Sequence, residues 1–96
     1  MPAYVISEVT ILDKDAVEEY KPLAKRSAVE FGGTYLARDV VPETLEGMFG
    51  AAERLVIIRF ETAEDARRWY RSESYAKALA AAGGALDRRL FIVDGD

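Results

Sequence analysis

The chain has 96 residues, half of them apolar and 31% charged, with 13 basic against 17 acidic side chains and a net charge of −4. That is the composition of one globular domain with a modest core, and its acidic balance argues against nucleic acid or an anionic membrane as partner. There are no cysteines and no histidines. A disulfide framework, thiolate chemistry, a zinc site, a histidine-ligated haem and a serine–histidine–acid triad therefore cannot be built from this chain alone. No calcium-loop pattern occurs, so neither a metal nor a cofactor is expected. No apolar run approaches the length of a membrane span, and Met1-Pro2-Ala3-Tyr4 lacks the basic and apolar stretches of a signal peptide, so a cytoplasmic protein is expected.

Residues 3–12 (AYVISEVTIL) are rich in β-branched side chains, and both alternating faces are largely apolar. They read as a first strand covered on both sides. Asp13 is a natural N-cap for the helix that follows, where Ala16, Val17, Tyr20, Leu23, Ala24, Ser27, Ala28 and Phe31 recur at helical spacing. Pro22 lies inside that helix and predicts a bend, and Gly32-Gly33 ends it. Residues 34–41 read as the second strand. Pro42-Glu43 predicts a turn into a weaker strand or extended loop over 44–49, which would set Arg38 directly opposite Glu46. Residues 53–60, with the unbroken run Leu55-Val56-Ile57-Ile58, suit a central strand. Thr62 caps a second helix with Ala63, Ala66, Trp69 and Tyr70 on its inner stripe. Ser72 caps a third stretch of helix reaching Ala82, and Gly83-Gly84 stops it. Residues 88–94 close the chain as a last strand.

The order β-α-β-β-α-β predicts an α+β, ferredoxin-like fold with a four-stranded antiparallel sheet and helices on one face. Strands apolar on both faces would then leave a broad apolar surface in water, more than a solitary chain ordinarily tolerates. A second copy packed sheet to sheet resolves this, so a homodimer is expected.

The segments MPAYVISEV, DAVEEY, FGGTYLARD, LEG, ERLVIIRFET, WYRSESY and RLFIVDG, in this order, resemble the family known as domain of unknown function 1330. The resemblance spans nearly the whole chain. It implies a ferredoxin-like fold whose dimers join two sheets into an α/β barrel with helices outside, and it brings no established reaction. Relatives by fold include cofactor-free monooxygenases, haem-degrading enzymes, lactone isomerases and ligand-sensing modules, so the fold alone does not select an activity.

In such a fold a pocket forms between the sheet and its helices, and polar or aromatic residues aimed there are the candidates. Arg38, sharing an alternating face with Thr34, Leu36 and Val40, reads either as a guanidinium clamp for a carboxylate or enol with Glu46 as base, or as half of a structural ion pair with Glu46. Ser72 and Tyr75 either present hydroxyls to a ligand or serve as a helix cap and its packing partner. Trp69, Tyr20 and Tyr70 either line a cavity or form core. Glu8 is either an inward carboxylate or a rim residue. Arg67, Arg68, Arg71, Arg88 and Arg89 read as solvated charges on a helix face and a strand end. Three readings are open at this level: a metal-independent enzyme or enzyme-like protein acting on a small polar or carboxylated metabolite, a non-catalytic small-molecule-binding or accessory domain acting through its dimer, and a purely structural dimer with no pocket.

Overall fold

The computed structural model describes residues 1–50 and 53–96. Its elements in chain order are β1 (Ala3–Ile11), α1 (Lys14–Glu30), β2 (Thr34–Val40), β3 (Arg54–Phe60), α2 (Ala63–Tyr70), α3 (Glu73–Ala82) and β4 (Leu86–Asp94). Each helix begins where its cap residue predicts. Asp13 Oδ1 accepts from the Asp15 and Ala16 amides, Thr62 Oγ1 from Asp65 N, and Ser72 Oγ from Tyr75 N. These bonds satisfy amides that the first helical turn leaves unpaired. The first helix runs unbroken through Pro22, and Gly32 ends it in the left-handed region at φ 82°.

The four strands form one antiparallel sheet in the order β2-β3-β1-β4. The two interior strands, β1 and β3, carry apolar side chains on both faces, as burial on two faces requires. Odd-numbered residues of β1 (Ala3, Val5, Ser7, Val9) are buried beneath the helices, while Tyr4, Ile6 and Glu8 face the other way. The helices carry small residues against the sheet, namely Ala24, Ala28, Ala66 and Ala78, and the space between is filled by Phe60, Trp69 and Tyr75. Trp69 and Tyr75 lie with ring centroids 4.3 Å apart, and Phe60 lies 5.5 Å from Trp69. Trp69 Nε1 donates to Ser27 Oγ at 3.0 Å, and Ser27 Oγ in turn donates to the Ala24 carbonyl at 2.7 Å, so the buried indole is satisfied. Tyr70 departs from the expected inner stripe: it is 52% exposed, because α2 ends there and the next helix turns away.

The second hairpin corrects two sequence expectations. Residues 44–49 form no strand, and Glu46 lies exposed in the connection, so Arg38 and Glu46 do not pair. In addition, β2 breaks register against β3: Tyr35 pairs with Ile58, but Ala37 pairs with Ile57. The extra residue is a bulge that exchanges the faces of the residues just after it, and a second shift between Ala37 and Val40 restores the original alternation, so that Val40 opposes Leu55. Arg38 consequently leaves the face of Thr34 and joins Tyr35 beneath the helices. Asp39 follows in the left-handed region at φ 53°, a conformation that aspartate tolerates better than most residues.

The molecule is a slab 36 × 33 × 16 Å, one sheet layer and one helix layer. The far face of the sheet, with Ile6, Leu55, Ile57, Val40, Phe91 and Val93, has no covering element among the described residues. Phe91 is 48% and Val93 42% exposed. A β-carbon on Gly33 would lie 2.9 Å from both the Ala28 carbonyl and the Phe60 ring. Gly33→Ala should therefore cost about 1–3 kcal/mol by overpacking, measured as a lower midpoint in urea unfolding.

Candidate functional site

Between the sheet and the helices lies a cleft floored by Val5, Ser7, Val9, Val56, Ile58 and Leu90, with Tyr20, Tyr35, Arg38, Trp69, Tyr75 and Arg88 around it. Its free volume is about 40 Å³, room for roughly three water molecules at about 10–15 Å³ each. The walls are apolar, and the polar atoms gather in two groups.

The first group joins α1, α3 and β4. Arg88 Nη1 donates to Tyr20 Oη at 2.9 Å and also to Tyr75 Oη, and the two phenol oxygens are 3.0 Å apart. A phenol has one proton to give. One proton is used in the tyrosine–tyrosine bond, and both oxygens already accept from Arg88, so one phenolic proton is left over. Tyr75 is fully buried and has no other acceptor among its bonds, so it donates to Tyr20. Tyr20, only part-buried, is then left with a proton that no protein group among the described residues accepts. Burial, followed by the neighbouring Tyr20 phenol, pushes the Tyr75 hydroxyl well above the ordinary tyrosine range, against the opposing pull of Arg88. Burial also works against the Arg88 cation, but the phenol oxygens of Tyr20 and Tyr75 outweigh it and hold the guanidinium charged.

The second group joins α1 and β2. Arg38 Nη2 donates to the Lys21 carbonyl at 2.6 Å, and its guanidinium lies 4.7 Å from the centre of the Tyr35 ring. Lys21 Nζ meets Asp39 at 3.1 Å. Among the described residues, three cations, Lys21, Arg38 and Arg88, thus line the cleft with a single carboxylate, Asp39, already held by Lys21. Among the described residues, neither arginine has a carboxylate within 4.0 Å. In a chain of net charge −4 this is a local concentration of positive charge.

Of the residues singled out from the sequence, Arg38, Tyr20, Tyr75 and Trp69 meet in this cleft. Ser72 does not line it: its hydroxyl accepts from Tyr75 N and donates to the Trp69 carbonyl at 2.7 Å, a cap that holds the aromatic pair in place. Glu46 is exposed and away from it. Glu8 lies on the opposite sheet face, bonded at 2.6 Å to Arg89, its cross-strand neighbour. Arg88 corrects the reading of a solvated strand end. It lies on β4's inward face opposite Val9, and its alternation with Leu86 and Leu90 was the available signal. Tyr35, Lys21 and Asp39 had no signal, since the bulge and the approach of α1 to β2 are tertiary. Among the described residues no group of three or more acidic side chains is placed to hold a metal ion, and no helix is long and apolar enough to cross a membrane.

Burial raises the Tyr35 hydroxyl from its ordinary value of 10.0 to about 12, Arg38 opposing. A pKa raised by folding gives stability that is complete below the unfolded value and lost as pH climbs through the folded one. Titration of phenolate absorbance should show Tyr35 and Tyr75 ionising late, and only as the fold melts, among the five tyrosines. A single shared transition near pH 10.0 would contradict this burial.

Comparison with known proteins places these features in context. A protein of unknown function from Rhodopseudomonas palustris superposes with a TM-score of 0.73 at 16% identity, covering 96% of this chain and 80% of that one. A dimeric ferredoxin-like protein of unknown function from Thermobifida fusca gives a TM-score of 0.62 at 16% identity, with 97% and 90% coverage. SnoaB, a cofactor-independent oxygenase from Streptomyces nogalater, gives 0.58 at 14% identity, with 99% and 93% coverage. At these identities the likeness shows the ferredoxin-like fold alone. No curated protein matches the chain in sequence. The family model for domain of unknown function DUF1330 matches residues 2–96, nearly every residue of the chain, and the protein belongs to that family.

Proposed function

We propose that the 96 residues act as one ferredoxin-like domain in a homodimer, each sheet–helix cleft holding a small anionic metabolite, and that the protein is an enzyme or enzyme-like protein needing no metal or cofactor. One observation carries the site assignment: Arg88 is half-buried, satisfied by neutral phenols and without a carboxylate among the described residues. Removing a cation from water costs free energy unless charge or strong hydrogen bonds compensate it. A ligand carboxylate supplies that compensation, with Arg38 at the other side of the cleft as a second guanidinium.

The groups present set the chemistry. Tyr20 offers a proton, and Arg88 stabilises negative charge on whatever accepts it, which suits an enolate or carboxylate. The cleft's carboxylate is tied to Lys21, so a proton is withdrawn from a ligand only after that ion pair opens. This scarcity of base favours the second reading, binding without turnover, as the alternative. A fold neighbour that is a cofactor-independent oxygenase supports the enzymatic one. A setting in the cytoplasm fits the composition, as does the lack of any role for nucleic acid or membrane.

The uncovered sheet face supports the dimer. Its centre, where Ile6 lies between Ile57 and Phe91, is continuous with Leu55 and Val93. The Thermobifida fusca neighbour is itself dimeric.

Two experiments test these readings. Calorimetric titration with propanoate should show binding by the native protein, weakened about tenfold or more in Arg88→Gln, for a lost charge-assisted bond of about 1.5–3 kcal/mol. No binding by the native protein, or equal binding by the variant, would overturn the anion site. In sedimentation the native protein should run at twice the chain mass and Ile57→Lys as a folded single chain. A native protein that sediments as one chain ends the dimer proposal.

A further inference from the structure

The first polar group in the cleft floor is Ser7, in the middle of β1 between Val5 and Val9 on the helix-covered side. It is 5% exposed, and its hydroxyl bonds to no protein group among the described residues. No fully enclosed side-chain polar atom among them lacks a partner. The Ser7 hydroxyl therefore reaches the free space of the cleft instead of being sealed against the walls. A hydroxyl on the apolar floor of a core strand destabilises the fold unless something bonds to it, and Val or Ala would fill the position without that cost. Ser7 pairs with Leu90 across β1 and β4, and Arg88 pairs with Val9, so the two polar residues are diagonal neighbours on one face. From there the Arg88 side chain rises to the tyrosines of α1 and α3, while Ser7 stays on the floor.

We infer that Ser7 is a specificity-determining contact and that the cleft takes a short-chain carboxylate bearing a second oxygen, with its carboxylate at Arg88 and its carbonyl or hydroxyl at Ser7. This rests on the anion-site reading and names its ligand class. The size limit comes from the free volume of about 40 Å³, which suits a molecule of a few heavy atoms. The second oxygen follows from Ser7, which donates to a carbonyl or accepts from a hydroxyl. A plain fatty acid would leave the Ser7 hydroxyl unpaired on binding, and such a mismatch is what a polar contact in an apolar site rejects.

The probes are two oxo acids and their parents: pyruvate against propanoate, and acetoacetate against butanoate, titrated into native protein, Ser7→Ala and Ser7→Thr. In the native protein at least one oxo acid should bind about tenfold or more tighter than its parent. Ser7→Ala should abolish that ratio, weakening the oxo acid and tightening the parent, whose binding no longer strands a hydroxyl, and Ser7→Thr, which keeps the hydroxyl, should retain part of it. Thermal melts of both variants verify that the cleft is folded. Oxo acids and parents binding the native protein equally, or a ratio that survives in Ser7→Ala, would overturn the role of Ser7 while leaving the anion site standing. If none of the four acids binds the native protein, the anion site itself falls, and the ligand class with it.

Discussion

A sheet with two apolar faces and helices enough for only one is the constraint from which the rest of this molecule follows. The helix layer buries Ala3, Val5, Val9, Ile58 and Phe60, and the slab stops at 16 Å. On the far side, Ile6, Ile57, Phe91 and Val93 remain with nothing from the described residues over them. Charged pairs such as Glu8–Arg89 sit among these residues and fix cross-strand neighbours without making the face polar. The proposed dimer and the location of the cleft have this common origin, because the helices cover one face, enclosing the cleft beneath them, and leave the other face open.

The cleft exists because the core is filled unevenly. Small side chains on the helices bring them close to the sheet, and Phe60, Trp69 and Tyr75 occupy the space near α2. Toward α1 and the β2 edge the aromatic filling gives way to long polar side chains. Their stems pack against the apolar walls while their heads meet one another, as amphipathic side chains do. Arg88 and Arg38 reach the same space from opposite edge strands of the sheet. Between them the protein places hydrogen-bond donors and positive charge, and the single carboxylate present is neutralised by Lys21. The phenol pair adds a proton donor whose direction is decided by a count of protons: Tyr75 has nowhere else to send its own.

How much was legible beforehand differs from element to element. The strands, helices and caps were readable because alternation, helical spacing and residues such as Asp13, Thr62 and Ser72 act locally. The aromatic members of the site, Tyr20, Trp69 and Tyr75, were readable for the same reason, as inner-face residues of helices. The Arg38–Glu46 pair failed because it assumed uninterrupted alternation through β2 and a strand after Pro42. A single bulged residue reverses which face Arg38 occupies, and Glu46 belongs to an exposed connection. Arg88 was passed over because a charge near a strand end ordinarily points to water. Ser7 was passed over because one serine in an apolar strand is unremarkable until its lack of a partner is seen.

The sequence by itself determined the α+β plan, the order of its elements, the two-faced apolar sheet and the exclusion of histidine and cysteine chemistry. These depend on composition and on periods of 2 and 3.6 residues, which are written along the chain. Only the tertiary structure decided that Arg38 and Arg88 share one cleft, that Tyr20 and Tyr75 bond to each other, and that Ser7 faces free space. Those facts depend on the β2–β3 register and on how three helices settle across the sheet, and the contacts involved join residues as far apart as Tyr20 and Arg88.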